Sequence, residues 1–216
     1  MTANDAEPIE TLDLVGGAVC LDFVNTASRR QSGPLRDRLR TPADLIVWGE
    51  MTGVVSTLQG ARLRAAVAER PVHAAGVLER ARALRESVYT AFTARARGEA
   101  TPAADLERLS AEHAAAAGER RLANTAGGVA FLWPEDDRLE QILWPVALSA
   151  AELLTVGDVT RVKECGSANC NWLFYDASKN RSRRWCEMKD CGNRAKARRY
   201  YARHHADIET PGRSSA

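Results

Sequence analysis

Apolar positions recur along the first 160 residues at two periods, and the change of period separates strands from helices. Between Leu14 and Thr26 a Gly16-Gly17 turn leads into Val19, Leu21 and Phe23, an alternation that predicts a strand followed by a turn into a helix. Thr41-Pro42-Ala43-Asp44 starts a helix, with Pro at the first helical position and Leu45, Ile46 and Trp48 behind it. Ala61 to Glu69 and Val72 to Arg97 continue at helical period. In the second, Val77, Leu84, Val88 and Phe92 form an apolar side, while Glu79, Arg80, Arg82, Arg85 and Glu86 mark a wet one. Thr101-Pro102-Ala103-Ala104-Asp105 opens a helix that carries Leu106 and Leu109 into the stretch Ala114 to Ala117. Arg121 to Trp133 predicts a hairpin turning at Ala126-Gly127-Gly128, and Asp136 to Leu154 a last helix that Gly157-Asp158 ends.

The pattern changes near Val159. Trp172-Leu173-Phe174-Tyr175-Asp176 has strand composition, Ala177 to Asn180 a turn, and Arg181 to Trp185 a returning strand. Ala195 to His205 then reads as a helix, with Asn193 as its cap. The fold class predicted is α+β: a mostly helical N-terminal domain with a few strands, plus a small C-terminal treble-clef-like or ribbon-like zinc finger. The divisions are residues 1–158 for the body, 159–205 for the finger and 206–216 for a flexible tail. No Pro- or Ser-rich linker separates body from finger, so the two are expected to touch.

The finger follows from its cysteines. Cys165-x4-Cys170-x15-Cys186-x4-Cys191 sets two knuckles that can converge on one Zn²⁺, and four thiolates leave no open position for water, so the metal is structural. Disulfides and unpaired buried thiols are the alternatives. The first residues lack the basic-then-apolar run of a signal peptide, which points to a reducing, cytoplasmic setting. No apolar run approaches the ~20 residues of a membrane span. The fifth cysteine, Cys20, lies in an apolar run and reads as a packed small hydrophobe.

Charge divides along the same boundary. Residues 161–205 hold 12 Lys/Arg against 4 Asp/Glu, a net +8, whereas residues 1–160 hold 17 against 22, a net −5. Four thiolates and one Zn²⁺ together contribute −2, so the metallated finger stays near +6. A basic module on an acidic body is the footprint of a polyanion binder.

The body carries no phosphate-cradling Gly loop, no His-x-x-x-His helix and no nucleophile elbow. His73 and His113 read as solvated surface. Asp22, Asn25 and Thr26 gather where the apolar run ends, as the orienting groups of a small-molecule pocket do. Asn and Thr also cap helices and close turns, which is the reading the residues favour.

Cys191-Gly192-Asn193-Arg194 resembles the signature of the CGNR zinc-finger family. The resemblance extends over Cys165, Cys170, Trp172 to Asp176, Ser178-Lys179-Asn180-Arg181, Arg183-Arg184-Trp185-Cys186 and Asn193 to Arg199. Gly16-Gly17, Cys20 to Thr26, and Asp44-Leu45 followed by Trp48 resemble the ABATE domain found with this finger. Together these resemblances imply a two-part bacterial protein regarded as a stress-induced transcription regulator, with DNA as partner. The predicted nucleic-acid contacts are Lys196, Arg199 and Arg203, one stripe of the last helix, with Arg183 and Arg184 before it. Arg194 and Arg198 form a second stripe; Arg194, next to Cys191, is assigned to the zinc-thiolate centre instead. Tyr201 and Ala197 are expected to pack inward. The body is expected to sense a small molecule or to form a homodimer. An RNA-binding module stacking bases on Trp172, Phe174 and Tyr175 is the alternative, and an enzyme housed in the body the weakest reading.

Overall fold

The computed structural model describes residues 7–206. Its elements are α1 (Val19–Val24), β1 (Ala27–Ser28), β2 (Arg36–Asp37), α2 (Pro42–Met51), α3 (Thr57–Glu69), α4 (Pro71–Ala96), α5 (Ala103–Glu119), β3 (Arg121–Thr125), β4 (Gly128–Leu132), α6 (Leu143–Thr155), β5 (Val162–Glu164), β6 (Leu173–Tyr175) and α7 (Asn193–Ala206). The strands form three separate two-stranded antiparallel sheets, β1-β2, β3-β4 and β5-β6. The tail predicted for 206–216 lies, from residue 207 on, outside the described residues.

The 26-residue α4 is the axis of the body. Ala74, Val77, Ala81, Leu84, Val88 and Phe92 are buried at helical spacing and meet α1, α2, α5 and α6 in one core. Entry to α2 follows the sequence signal: Thr41 Oγ1 accepts from Asp44 N (3.3 Å), the Asp44 carboxylate accepts from Thr41 N (2.7 Å), and Pro42 stands at the start.

The wet face predicted on α4 is only partly wet. Arg85 is 1% exposed, held by Asp37 at 2.7 and 2.8 Å and by Glu86 at 2.8 Å. Burial would drive its proton off, yet the two carboxylates hold its pKa above the ordinary arginine value.

The run at 19–24 is a helix, which corrects the predicted strand. Its buried residues are Cys20, Leu21, Phe23 and Val24, a one-sided helical set; a strand would bury alternate positions. Ala18, the residue before it, offers no side-chain cap. Ser149 of α6 takes that role, its Oγ accepting from Cys20 N (3.3 Å), while the Asp22 carboxylate ties the first turn to the preceding chain by accepting from Gly16 N (2.8 Å). Gly16 is required there, because a Cβ would lie 2.7 Å from Asp22 N.

The predicted hairpin over 121–133 is present as β3-β4, with Leu122 facing Phe131 and Asn124 facing Val129. In the finger the pairing differs from expectation. Strand β6 pairs with β5 upstream, and Arg181 to Trp185 is irregular. Asp176 explains the change. Its buried carboxylate accepts from Lys163 Nζ (2.7 Å), Ser178 N (3.0 Å) and Arg183 N (3.0 Å), which coils residues 177–183 around it. Lys163 first, and then Ser178, hold that carboxyl well below the usual carboxylate range.

Candidate metal centre and nucleic-acid interface

The first knuckle forms the loop of the β5-β6 hairpin. Cys165 N donates to Trp172 O (2.8 Å) and Cys170 N to Ser167 O (3.1 Å), and the chain leaves Cys170 through Asn171 at φ 60°. The second knuckle ends in a π-helical turn, Met188–Gly192, which runs into α7. Gly192 N donates to Glu187 O (3.0 Å), and the exposed Met188 side chain lies over Gly192, where a Cβ would meet its Sδ at 2.4 Å and displace it. Asn193 is inside the helical run rather than its cap; its Nδ2 donates to Lys189 O (2.9 Å).

These turns bring the four sulfurs of Cys165, Cys170, Cys186 and Cys191 within 4.8 Å of one another, all buried. Cys170 and Cys186, and Cys186 and Cys191, are 3.6 Å apart. That is far beyond disulfide bonding. It is close to the edge of about 3.8 Å of a tetrahedron with Zn–S bonds of about 2.3 Å. The thiols cannot all ionise unaided. Hydrogen bonds with Cys165, Cys170 and Cys186 hold the Cys191 thiol far below the usual range, while Cys165, Cys170 and Cys191 push Cys186 far above it. A divalent cation removes that conflict, and the four cysteines are one structural zinc site. Arg194 Nη2 lies 3.1 Å from Cys191 Sγ and its Nη1 2.8 Å from Asp190, placing the Arg of the tetrapeptide beside the thiolates. Cys20 stands apart, and burial pushes its thiol up to about 12.

The predicted nucleic-acid residues divide. Arg183 is half-buried and spent on the finger's own frame. Its guanidinium donates to the carbonyls of Trp185 (3.1 Å), Val15 (3.2 Å) and Cys186, and lies 4.3 Å over the Phe174 ring. Of the expected set, Arg183 is the one whose guanidinium is committed to contacts within the protein, although its half-buried side chain still borders a surface groove. Arg184, Lys196, Arg199 and Arg203 are exposed, and among the described residues none has an acidic partner. Arg184 and Arg199 flank Trp185, 5.5 and 6.0 Å from its ring. Tyr201 and Ala197 are exposed rather than packed inward, and α7 projects from the module.

Two shallow grooves meet at Gly166 and Arg184. One, of about 240 Å³, lies against Trp185, Arg198 and Arg199; the other, of about 580 Å³, reaches Arg95 at the end of α4. Arg95 escaped the sequence reading because it belongs to the body, although a basic residue in a last helical turn was its visible signal. The aromatic set proposed for RNA stacking is unavailable in part: Phe174 is fully buried, and Trp172 and Tyr175 are half-buried against the cores.

Asp22, Asn25 and Thr26 line none of five prominent grooves and cavities among the described residues. Asp22 holds Gly16, and burial raises its carboxyl above the usual range against the pull of that N–H. Thr26 Oγ1 donates to Phe23 O (2.8 Å). Asn25 reaches the finger: its Nδ2 donates to Leu173 O (2.9 Å) and its Oδ1 accepts from Leu173 N (2.8 Å). Body and finger therefore touch through β6, where Tyr175 N also donates to Gly16 O (2.7 Å).

A helical body docked along one edge of a four-cysteine hairpin and helix defines a zinc-finger protein. Residues 17–157 match the ABATE family, described as "Putative stress-induced transcription regulator", and the chain belongs to that family. Residues 161–204 match the CGNR zinc finger. No relative among curated proteins matches the chain. No helix among the described residues is long and apolar enough to cross a membrane.

Proposed function

We propose that this protein is a cytoplasmic, DNA-binding transcription regulator of the stress response, in which the finger grips DNA and the body senses a small molecule or forms a homodimer. The observation that carries the reading is the row of unpaired cations, Arg184, Lys196, Arg199 and Arg203, on and beside a helix rooted in the zinc centre. Arginine donors suit phosphate oxygens and guanine edges, and a helix is the element a major groove admits. One small module buries only ~600 to 1,000 Å² on DNA, so specificity calls for two copies. The β3-β4 hairpin supports that reading: Leu122, Val129 and Phe131 share one exposed face of an isolated two-stranded sheet.

Capture of genomic fragments by the zinc-loaded protein, followed by sequencing, tests the reading. Enrichment of one promoter motif supports it. Enrichment of transcripts with no DNA fragment would put the RNA-binding reading in its place.

A further inference from the structure

Helices α5 and α6 do not close on each other along their whole length. Leu106, Leu109 and His113 of α5 face Pro145, Leu148 and Ser149 of α6 across a groove of about 900 Å³. Each set follows helical i, i+3, i+4 or i+7 spacing, so the groove lies between two stripes left apart, apolar at Leu106, Leu109, Pro145 and Leu148 and polar at His113 and Ser149. Its volume lies within the range of ligand sites.

One end of the groove is closed by Arg120 and Trp133. Trp133 is fixed, its indole N–H donating to Ala116 O (3.0 Å). Arg120 lies over the Trp133 ring at 5.3 Å and the Phe131 ring at 4.6 Å. Its buried Nε has no hydrogen-bond partner, and among the described residues its guanidinium has no acidic one. The neighbouring Arg138 makes the contrast. It stacks on Trp144 at 4.9 Å in the same manner, but Glu119 and Asp136 neutralise it at 2.8 and 2.7 Å. A guanidinium backed by two rings, with a buried donor unanswered, is arranged for an anion. The groove's acid, Glu152, is exposed to solvent.

We propose that this groove binds a small amphipathic acid, its apolar part between α5 and α6 and its anionic head on Arg120. The proposal rests on the sensing role given to the body above and supplies it with a site and a ligand class. The groove also touches the element that holds the finger. Ser149, which lines it, accepts the N–H of Cys20 in the first turn of α1, and Asn25, directly after α1, grips Leu173 of β6. A ligand that shifts Ser149 thereby acts on the body-finger contact.

The test uses the full zinc-loaded chain and two fluorescent probes of nearly the same shape, anilinonaphthalene sulfonate and its uncharged relative N-phenyl-naphthylamine. Saturable binding of one sulfonate per chain is expected, about tenfold tighter than the neutral probe. Arg120→Gln should abolish that preference while leaving the neutral probe's affinity within about twofold, which also shows that the groove is still folded. Arg121→Gln, the exposed neighbour, should change neither. Equal affinity of both probes for the wild type, or a preference that survives Arg120→Gln, overturns the site. So does a concentration-dependent dimer that excludes both probes, which would give the groove to a second copy. With the site established, sulfonate binding that leaves DNA affinity unchanged removes the sensing role and not the site. DNA affinity absent with and without probe sinks the regulator reading alone.

Discussion

The Asn25 side chain behaves toward Leu173 as a neighbouring strand would, donating to its carbonyl at 2.9 Å and accepting from its N–H at 2.8 Å across 148 residues of chain. Strand β6 already pairs with β5 on its other edge, so one amide from the body completes the ladder of the zinc module. Both groups are buried. Asn25→Ala leaves two backbone partners without bonds, a cost of roughly 2–5 kcal/mol. Urea unfolding of the zinc-loaded protein should show that loss, and Asn25→Asp should not restore it, because a carboxylate cannot donate to Leu173 O.

Arg194→Ala should weaken zinc binding by about 10- to 100-fold, since it removes the cation beside Cys191 without touching a ligand. Competition with a chromogenic chelator measures this directly. Zinc affinity equal to wild type would reduce Arg194 to an ion pair with Asp190.

Arg183→Ala should act on the frame and not on DNA electrostatics. Its guanidinium ties Val15 of the body to Trp185 and Cys186 of the finger. Faster zinc loss and a lower melting temperature are expected, with the salt dependence of DNA binding unchanged while zinc remains bound.

Tyr89 links α4 to the finger, its hydroxyl donating to Glu164 Oε1 at 2.9 Å. Burial first, then the Glu164 charge, pushes its pKa from 10 to about 12. The folded value is raised, so the stability it contributes is complete below the unfolded pKa near 10 and fades as pH rises toward 12. Between those limits the wild type should lose stability that Tyr89→Phe does not. Parallel stability curves for the two proteins from pH 9 to about 11.5 would contradict the assignment.

The metal site was legible because ligand spacing is a local property: four cysteines in two knuckles need no tertiary knowledge. The caps at Thr41 and the hairpin at 121–133 were legible for the same reason. The run at 19–24 was not, since Val19, Leu21 and Phe23 alternate as well as they spiral, and the partners that decide for a helix, Gly16 and Ser149, act through space. Arg181 to Trp185 looked like a strand until Asp176 coiled it. Arg183 was indistinguishable in sequence from Arg184, because which of two adjacent arginines turns inward depends on where Phe174 lies. Of the polar trio at 22, 25 and 26, Asp22 and Thr26 make local bonds to Gly16 and Phe23, whereas Asn25 docks the finger, across a separation that no window on the sequence spans.

The account stands on α7 and Arg184 as a DNA-binding face, and one comparison reaches it directly. The affinity of the zinc-loaded protein for duplex DNA is measured across salt concentrations, beside a variant combining Arg184→Ala, Lys196→Ala, Arg199→Ala and Arg203→Ala with zinc content verified. If the four cations neutralise four phosphates, the wild-type slope of log K against log salt is about −3.6 and the variant's is near zero, with affinity largely lost. Equal slopes and affinities in the two proteins would contradict the account, leaving α7 a solvated face on a structural zinc module.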